Sequence, residues 1–284
     1  MHEDTSEKNI EKELSPDTIA DNKIFEELKI AAHNPWARDK ASGVAFEESI
    51  AKVFNHMGFE AKRIGGAGNT DVVIRWKNND GETLTAIVDG KSKSGGTVTH
   101  VDVSDVAIEN HKEKNGAEFV AIIGPGFSGD TLKDHARKKG FALITDIELI
   151  DIAKSSQMLG LSLAEISLLF KVPNGLAQLT ELITNKQREQ NIISLVVSTF
   201  KQEQDAMESL SARDLYFLLR RTEISPSLEE LIAAFEMLSK DEIGVLTQIK
   251  KASAVENTTY ALCGERHCVN RLRALASSIE RGLL

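Results

Sequence analysis

The sequence predicts an α/β domain followed by a mainly helical domain. Between residues 71 and 144, short apolar runs of strand character alternate with helical patterns. Beyond residue 155, nearly all of the apolar stripes have helical spacing. We therefore divide the 284 residues into three parts. These are an N-terminal helical arm (1–34), an α/β domain (35–170) and a helical domain (171–284).

The arm and the start of the α/β domain are predicted from apolar spacing. Ile24, Phe25 and Leu28 fall on one face of a helix in the arm. Ser42 is placed to cap the next helix, whose apolar stripe ends near Gly58. The helical arm is acidic, since it holds four basic and nine acidic side chains.

The rest of the α/β domain is predicted to form a mixed sheet flanked by helices. Residues 71–76 and 83–88 have strand character, and the turn signal at 78–81 between them indicates a hairpin. The remaining predicted elements are a helix near 102–114, a strand at 119–123, a basic helix near 129–139, a strand at 141–144 and a helix from 146 to about 154. A further apolar stripe from Leu161 to Phe170 closes the domain.

The helical domain is compatible with more than one role. Its predicted helices cover 176–200, 205–221, 228–238 and 241–249, followed by a strand within 256–263. Three helices followed by a hairpin would form a winged helix, which suggests DNA reading. Acidic residues such as Glu229, Glu236 and Asp241 would repel phosphate, so dimerisation or partner binding is the alternative. The better candidates for contacts to the DNA backbone are Arg220, Arg221, Lys250, Lys251, Arg266, Arg271 and Arg273.

Composition excludes several classes of protein. The net charge is −9 and hydrophobic residues make up 41%, which fits a folded protein without a wholly basic surface. Two cysteines cannot form a disulfide framework, and Cys263, His267 and Cys268 lack the partners of a zinc site. The acidic start of the chain does not resemble a signal peptide, and no apolar run could span a bilayer. We therefore expect a cytoplasmic protein.

The residues best suited to chemistry lie at one end of the predicted hairpin. Asp71 opens its first strand and Asp89 closes its second, so both carboxylates should meet there. Such a pair of hard oxygen ligands suits Mg²⁺ or Mn²⁺. Lys91, two residues after Asp89, should project from the same face. An ammonium beside a metal-bound carboxylate suits phosphodiester hydrolysis. The alternative is that these residues only cap strand ends and form a surface ion pair.

With their order and spacing, these residues resemble the PD-(D/E)xK nuclease superfamily. The closest resemblance is to the cleavage domain of type IIS restriction endonucleases such as FokI, and to the Mrr-type nucleases. The runs that carry it are 43–47, 65–71, 86–96, 119–129, 142–149 and 161–166. The glycine-rich run at 65–68 precedes a strand rather than a helix, so it is not a nucleotide-binding loop.

The resemblance implies a role for each site residue. Asp71 and Asp89 would ligate Mg²⁺, for which Mn²⁺ could substitute, together with the backbone carbonyl of Gly90. Lys91 would position the attacking water or stabilise the transition state. Glu47 would complete the metal shell, although the adjacent Glu48 is an alternative. Thr70 stands where a proline often precedes the first aspartate in this superfamily.

Several functions are compatible with such a site. The first is a Mg²⁺-dependent endonuclease acting on double-stranded DNA, as a restriction or defence enzyme. The second is a repair or recombination nuclease acting on branched DNA. The third is a DNA- or protein-binding module that has kept a nuclease fold without cutting. The resemblance also implies a transient homodimer on DNA, with residues 102–114 as the dimerisation segment.

Overall fold

The structure is a computed structural model that describes residues 16–34, 43–66, 69–203 and 205–283. The predicted Ser42 cap, residues 1–15 of the arm and two positions of the glycine-rich run lie outside the described residues. The chain divides into two compact units, Met1–Glu181 and Leu182–Leu284. The three predicted domains and their boundaries stay a prediction. No helix in the described ranges is long and apolar enough to cross a membrane.

The N-terminal unit is built on one five-stranded sheet. Its elements in chain order are α1 (Pro16–His33), α2 (Val44–His56), β1 (Glu60–Arg63), β2 (Val72–Lys77), β3 (Thr83–Gly90), α3 (Asp105–Asn115), β4 (Phe119–Gly124), α4 (Asp130–Lys139), β5 (Phe141–Thr145), α5 (Asp146–Leu159) and α6 (Leu163–Ile166). The strand order is β1-β2-β3-β4-β5. The first three strands are antiparallel, and β3, β4 and β5 are parallel. The predicted mixed sheet flanked by helices is confirmed.

The hairpin of β2 and β3 forms where turn chemistry and strand propensity coincide. Oδ1 of Asn78 accepts hydrogen bonds from the backbone N–H groups of Asp80 and Glu82, at 3.0 and 2.9 Å. Gly81 has φ +82°, a left-handed conformation that glycine adopts without strain. This turn fixes the register in which Val73 pairs with Ile87. The hairpin predicted from sequence is therefore confirmed.

The edge strand β1 was not predicted. Among its four residues only Ala61 is buried, so the segment lacks an apolar strand pattern. Asn55 of α2 compensates by pairing with both backbone groups of Ala61. Its Nδ2 donates to the Ala61 carbonyl at 2.8 Å, and its Oδ1 accepts from the Ala61 N–H at 2.9 Å. This tertiary contact, which local sequence does not reveal, fixes where the strand runs.

The apolar stripe near residue 165 forms the short helix α6 and a 3₁₀ turn at Ser167–Phe170. Its role is to bring Phe170 into an aromatic cluster of the core. The Phe170 ring stacks on Trp76 at a centroid distance of 5.3 Å and on Phe54 at 5.9 Å. Burial of these large rings stabilises the packing of α2 and β2 against this end of the unit.

The C-terminal unit has the arrangement of a winged helix. Its elements are α7 (Gly175–Glu203), which begins in the first unit, β6 (Leu210–Ser211), α8 (Ala212–Leu219), α9 (Leu228–Leu238), β7 (Leu246–Lys250), β8 (Thr259–Leu262) and α10 (Glu265–Leu283). Three helices are followed by the β7–β8 hairpin, and the sheet order is β6-β8-β7. The core contains Val196, Phe200, Leu215, Leu231 and Phe235. The winged-helix form of the predicted helical domain is thus present.

Two predictions in this unit need correction, and one helix was missed. The expected helix over 241–249 is wrong, because the chain turns at Gly244 with φ +59° and continues as β7. The β-branched Thr247 and Ile249 then favour a strand. The helix expected from residue 205 begins only at α8, where Ser211 accepts a capping hydrogen bond from the N–H of Asp214. The long helix α10 was not predicted at all.

Candidate active site

The two predicted aspartates lie opposite each other at one end of the β2–β3 hairpin. Val72 pairs with Val88, so the next residues in this register are Asp71 and Asp89. Oγ1 of Thr70 donates to the buried carbonyl of Val88 at 3.0 Å. The threonine therefore keeps the two strands joined beyond their last regular pair.

Gly90 holds the Asp71 carboxyl and packs against helix α2. Its backbone N–H donates to Oδ2 of Asp71 at 2.7 Å. A Cβ on Gly90 would lie 3.3 Å from Cδ1 of Ile50 and 3.5 Å from Cδ1 of Phe46. Only a residue without a side chain allows α2 to approach this closely, which brings the start of α2 to the edge of the site.

Lys91 continues the parallel ladder past the end of β3. Its N–H donates to the carbonyl of Ile123 at 2.8 Å, and its Nζ lies 2.9 Å from Oδ2 of Asp89. The close approach needs Gly124, where a Cβ would lie 3.1 Å from the Lys91 carbonyl oxygen. The expectation that Asp89 and Lys91 project from the same face is confirmed.

The carboxyl of Asp71 is unusually hard to ionise. Its pKa is raised to about 7, against an ordinary value of 3.8, and burial is the largest cause. The nearby carboxylates of Asp89 and Glu47 contribute to this rise, whereas the hydrogen bond from Gly90 opposes it. The ammonium of Lys91 also lowers this pKa, but less than burial raises it.

Glu47, rather than Glu48, faces inward from α2. Glu47 is only 9% exposed, whereas Glu48 is exposed to solvent. Its Oε2 accepts a 2.7 Å hydrogen bond from Nε of Arg63, the last residue of β1. Sequence reasoning missed Arg63, because β1 itself was not predicted. The one signal for this strand is the alternation of polar Glu60, apolar Ala61 and polar Lys62.

A divalent cation fits a site formed by Asp71 and Asp89 better than a site that also includes the carboxylate of Glu47. Within the described residues, no three His, Cys, Asp or Glu side chains are grouped to hold a metal ion. Glu47 is instead paired with Arg63. Oδ2 of Asp89 is buried and, apart from the Lys91 ammonium, has no polar partner. A hard cation would satisfy this oxygen and offset the repulsion that raises the pKa of Asp71.

Comparison with known proteins bears on the N-terminal unit. The restriction endonuclease family Mrr_cat matches residues 38–158. This part of the chain is similar to a restriction endonuclease domain. The resemblance to PD-(D/E)xK nucleases is therefore confirmed, and the matched residues include the whole arrangement around Asp71. Among curated protein sequences, none matches this chain significantly.

Two solved structures of restriction endonucleases are distantly similar. FokI bound to DNA has 15% identity and a TM-score of 0.40, over 55% of this chain and 33% of FokI. MspJI in complex with a 27-mer oligonucleotide has 13% identity and a TM-score of 0.27, over 65% of this chain and 39% of MspJI. This chain thus aligns with well under half the length of either enzyme.

The restriction endonuclease match ends before the winged-helix unit, where the predicted basic residues have different surroundings. Nη2 of Arg271 donates to the carbonyls of Glu242 and Ile243, at 2.7 and 2.8 Å, so it closes the turn after α9. Lys250 and Lys251 are exposed at the start of the β7–β8 connection. Cys268 is buried and contacts the Ile243 carbonyl, whereas Cys263 is exposed, which does not suit a shared zinc site.

Proposed function

We propose that this chain is a divalent-metal-dependent endonuclease that hydrolyses phosphodiester bonds of double-stranded DNA. The observation that carries the proposal is the placement of Lys91 Nζ 2.9 Å from Asp89, with Asp71 opposite in register. This arrangement lies inside the restriction endonuclease match. A site that had lost its activity would be free to lose one of these three residues, and all three are in place.

In the proposed mechanism, Asp71, Asp89 and the Gly90 carbonyl hold Mg²⁺, for which Mn²⁺ can substitute. When bound, the cation would act as a Lewis acid on the scissile phosphate. The Lys91 ammonium orients the attacking water or neutralises charge that develops on the phosphate. Glu47 is the proposed further metal ligand. Because Arg63 holds it in this structure, it would have to exchange that partner to reach the cation.

The proposed biological role is restriction or another form of defence. Hydrolysis of branched DNA in repair or recombination is the alternative, since the same three residues would serve either substrate. A DNA- or protein-binding module without cleavage is the third possibility. It predicts that Lys91 is dispensable, whereas both nuclease proposals require it.

The proposed enzyme acts as a homodimer on DNA, because one such site cuts one strand. The dimerisation segment expected from the family resemblance is 102–114, which contains most of α3. Two exposed apolar side chains support this role. Val106 within the segment is 71% exposed, and Val101 just before it is 91% exposed. Apolar side chains this exposed beside the site could be covered by a second nuclease domain.

The proposed DNA contacts of the C-terminal unit lie outside helix α9. The exposed positions of α9 include Glu229, Ala233, Glu236 and Met237, none of which is basic. In a major groove these carboxylates would repel the phosphates. Lys250 and Lys251 carry the positive charge instead, so the proposed contact runs from the β7–β8 hairpin to the DNA backbone.

The test of the proposed activity is nicking of a supercoiled plasmid with and without millimolar Mg²⁺. We expect the wild type to cut only with the metal. Lys91→Ala should reduce the rate by about 10²–10³-fold, the usual cost of removing one electrostatic stabiliser. The matched control is Lys77→Ala, an exposed lysine at the opposite end of the hairpin, which should cut normally.

Substrates separate the alternatives. Preference for a defined duplex sequence supports restriction, and preference for a four-way junction supports repair. If wild-type protein cuts supercoiled, methylated and branched DNA no faster than Lys91→Ala, the nuclease proposal is wrong. Binding to the same DNA without cutting would then support the non-cleaving module.

A further inference from the structure

Helix α10 is a long helix with almost no packing of its own. All side chains from residue 269 to 282 are exposed, and among the side chains of this helix whose burial is described only Cys268 is buried. Arg271 ties its first half to the turn after α9 through backbone carbonyls. The second half projects without a partner in the described chain.

One face of this exposed helix is apolar. Val269, Leu272, Leu275 and Ile279 are 44%, 41%, 59% and 58% exposed, and at 100° per residue they fall within one third of the circumference. In proteins, most of the stability of a helix comes from the packing of its apolar face, and in α10, a helix of 19 residues, this face is exposed. An apolar stripe of this length on an otherwise polar helix indicates a surface that another molecule covers.

We propose that α10 is an interaction surface for a second copy of this chain, on which the two α10 helices pack antiparallel. The proposal does not depend on the nuclease activity or on the 102–114 segment. It rests on the spacing of apolar residues and of charges along one helix. Two-fold symmetry requires that the same residues serve both partners, and the pattern of α10 meets this requirement.

The apolar residues pair with each other in one antiparallel register. With Val269 of one copy opposite Ile279 of the other, Leu272 lies opposite Ala276, and the same contacts repeat across the two-fold axis. Leu275 then meets Leu275 of the second copy near that axis. Each apolar residue of the stripe therefore has an apolar partner, as in the seam of an antiparallel coiled coil.

The charges beside the stripe favour the same register. Arg266, Arg273 and Glu280 lie seven residues apart along one edge of the stripe. The antiparallel register places Arg266 of each copy beside Glu280 of the other, which gives two opposite-charge pairs. The two Arg273 side chains meet at the axis, where solvent screens them. A parallel pair would place Arg266 level with Arg266 and Glu280 level with Glu280, without these attractions.

The first experiment is sedimentation velocity of the full chain across a range of concentrations, without DNA or divalent metal. We expect a concentration-dependent dimer. Leu272→Lys with Ile279→Lys, on the apolar face, should weaken self-association at least about ten-fold, because charged side chains then lie opposite the apolar Ala276 and Val269 in the seam. The matched control is Ala274→Lys with Ser278→Lys, which adds the same charge on the opposite, exposed face and should leave the dimer intact.

A charge exchange tests the direction of packing. Arg266→Glu alone and Glu280→Arg alone should each weaken self-association, since each variant sets like charges beside each other. A mixture of the two variants should form a heterodimer, because both cross-pairs then have opposite charges. Far-UV circular dichroism and thermal melts check that each variant keeps its fold. All of the substituted side chains of α10 are exposed in the wild type.

The outcomes separate this surface from others. A wild type that stays monomeric at about 100 μM, far above the concentrations at which specific dimers form, would overturn the proposal. So would a dimer that withstands the Leu272 and Ile279 changes but dissociates on Val106→Lys, which would place the contact at α3. Failure of the mixed charge variants to associate would overturn the antiparallel register. Loss of DNA cleavage alone would bear only on the nuclease proposal.

Discussion

Nε of Arg63 donates a 2.7 Å hydrogen bond to Oε2 of Glu47 and joins the edge strand β1 to the first turn of α2. The pair lies beside the carboxyl of Asp71, whose pKa the Glu47 charge helps to raise. Because Glu47 is nearly buried, its charge needs a compensating cation. Arg63 supplies that cation.

Removal of Arg63 should therefore destabilise the N-terminal unit. Arg63→Ala leaves the Glu47 carboxylate buried without its partner, at a cost of about 1–3 kcal/mol in the free energy of unfolding. Glu47→Gln should cancel part of that loss, since no unpaired charge remains. Urea unfolding of the two single variants and the double variant measures this coupling. The neighbouring Lys62→Ala is the control and should change little, because Lys62 is exposed.

The Glu47–Arg63 pair also depends on a glycine. Gly65 has φ +57°, and a Cβ there would lie 2.5 Å from Nη2 of Arg63 and 3.3 Å from Oε2 of Glu47. Gly65→Ala should therefore displace the pair and reduce both stability and plasmid cutting. Gly81→Ala is the matched control, because Gly81 has φ +82° but no atom within 4 Å of its Cβ position. Equal effects of both substitutions would show that backbone strain alone is responsible.

Local sequence predicted the hairpin that carries Asp71 and Asp89, but it did not predict strand β1, whose Arg63 positions Glu47. Asp71, Asp89 and Lys91 follow from a hairpin with a clear turn and from the two-residue period of a strand. Arg63 lies on β1, which depends on Asn55 from another element and has no apolar pattern of its own. The 241–249 segment failed for a different, local reason, since its helical spacing competes with a left-handed glycine at 244. In the candidate site, the residues missed were those fixed by tertiary contacts.

The pKa of Asp71 predicts a pH-dependent stability in the absence of metal. Its carboxyl titrates near 3.8 when unfolded and at about 7 when folded, so folding takes up a proton between these values. The stability of the wild type relative to Asp71→Asn should therefore fall as the pH rises from about 4 to about 7. Thermal melts of both proteins with a chelator test this, and a pH-independent difference would contradict the raised pKa.

The same titration predicts how Mg²⁺ acts. Above pH 7 the ionised carboxyl should bind the cation, which then raises the melting temperature of the wild type. Asp71→Asn should respond much less at any pH. Calorimetric titration of Mg²⁺ should show a higher affinity at pH 8 than at pH 6, with protons released on binding at the lower pH.

Salt dependence can distinguish the β7–β8 hairpin from helix α9 as the DNA contact. If Lys250 and Lys251 each neutralise one phosphate, log K for DNA binding should fall less steeply with log salt concentration when both are replaced with alanine. The magnitude of the slope should decrease by about 2.

A second pair of substitutions tests helix α9. Glu229→Gln with Glu236→Gln should strengthen DNA binding if α9 enters the groove, because two repulsive charges are lost. We expect those glutamine changes to have little effect. Fluorescence anisotropy with a labelled duplex at several salt concentrations measures both. An unchanged slope in the lysine variant would leave the winged helix as a protein-binding unit, consistent with self-association through α10.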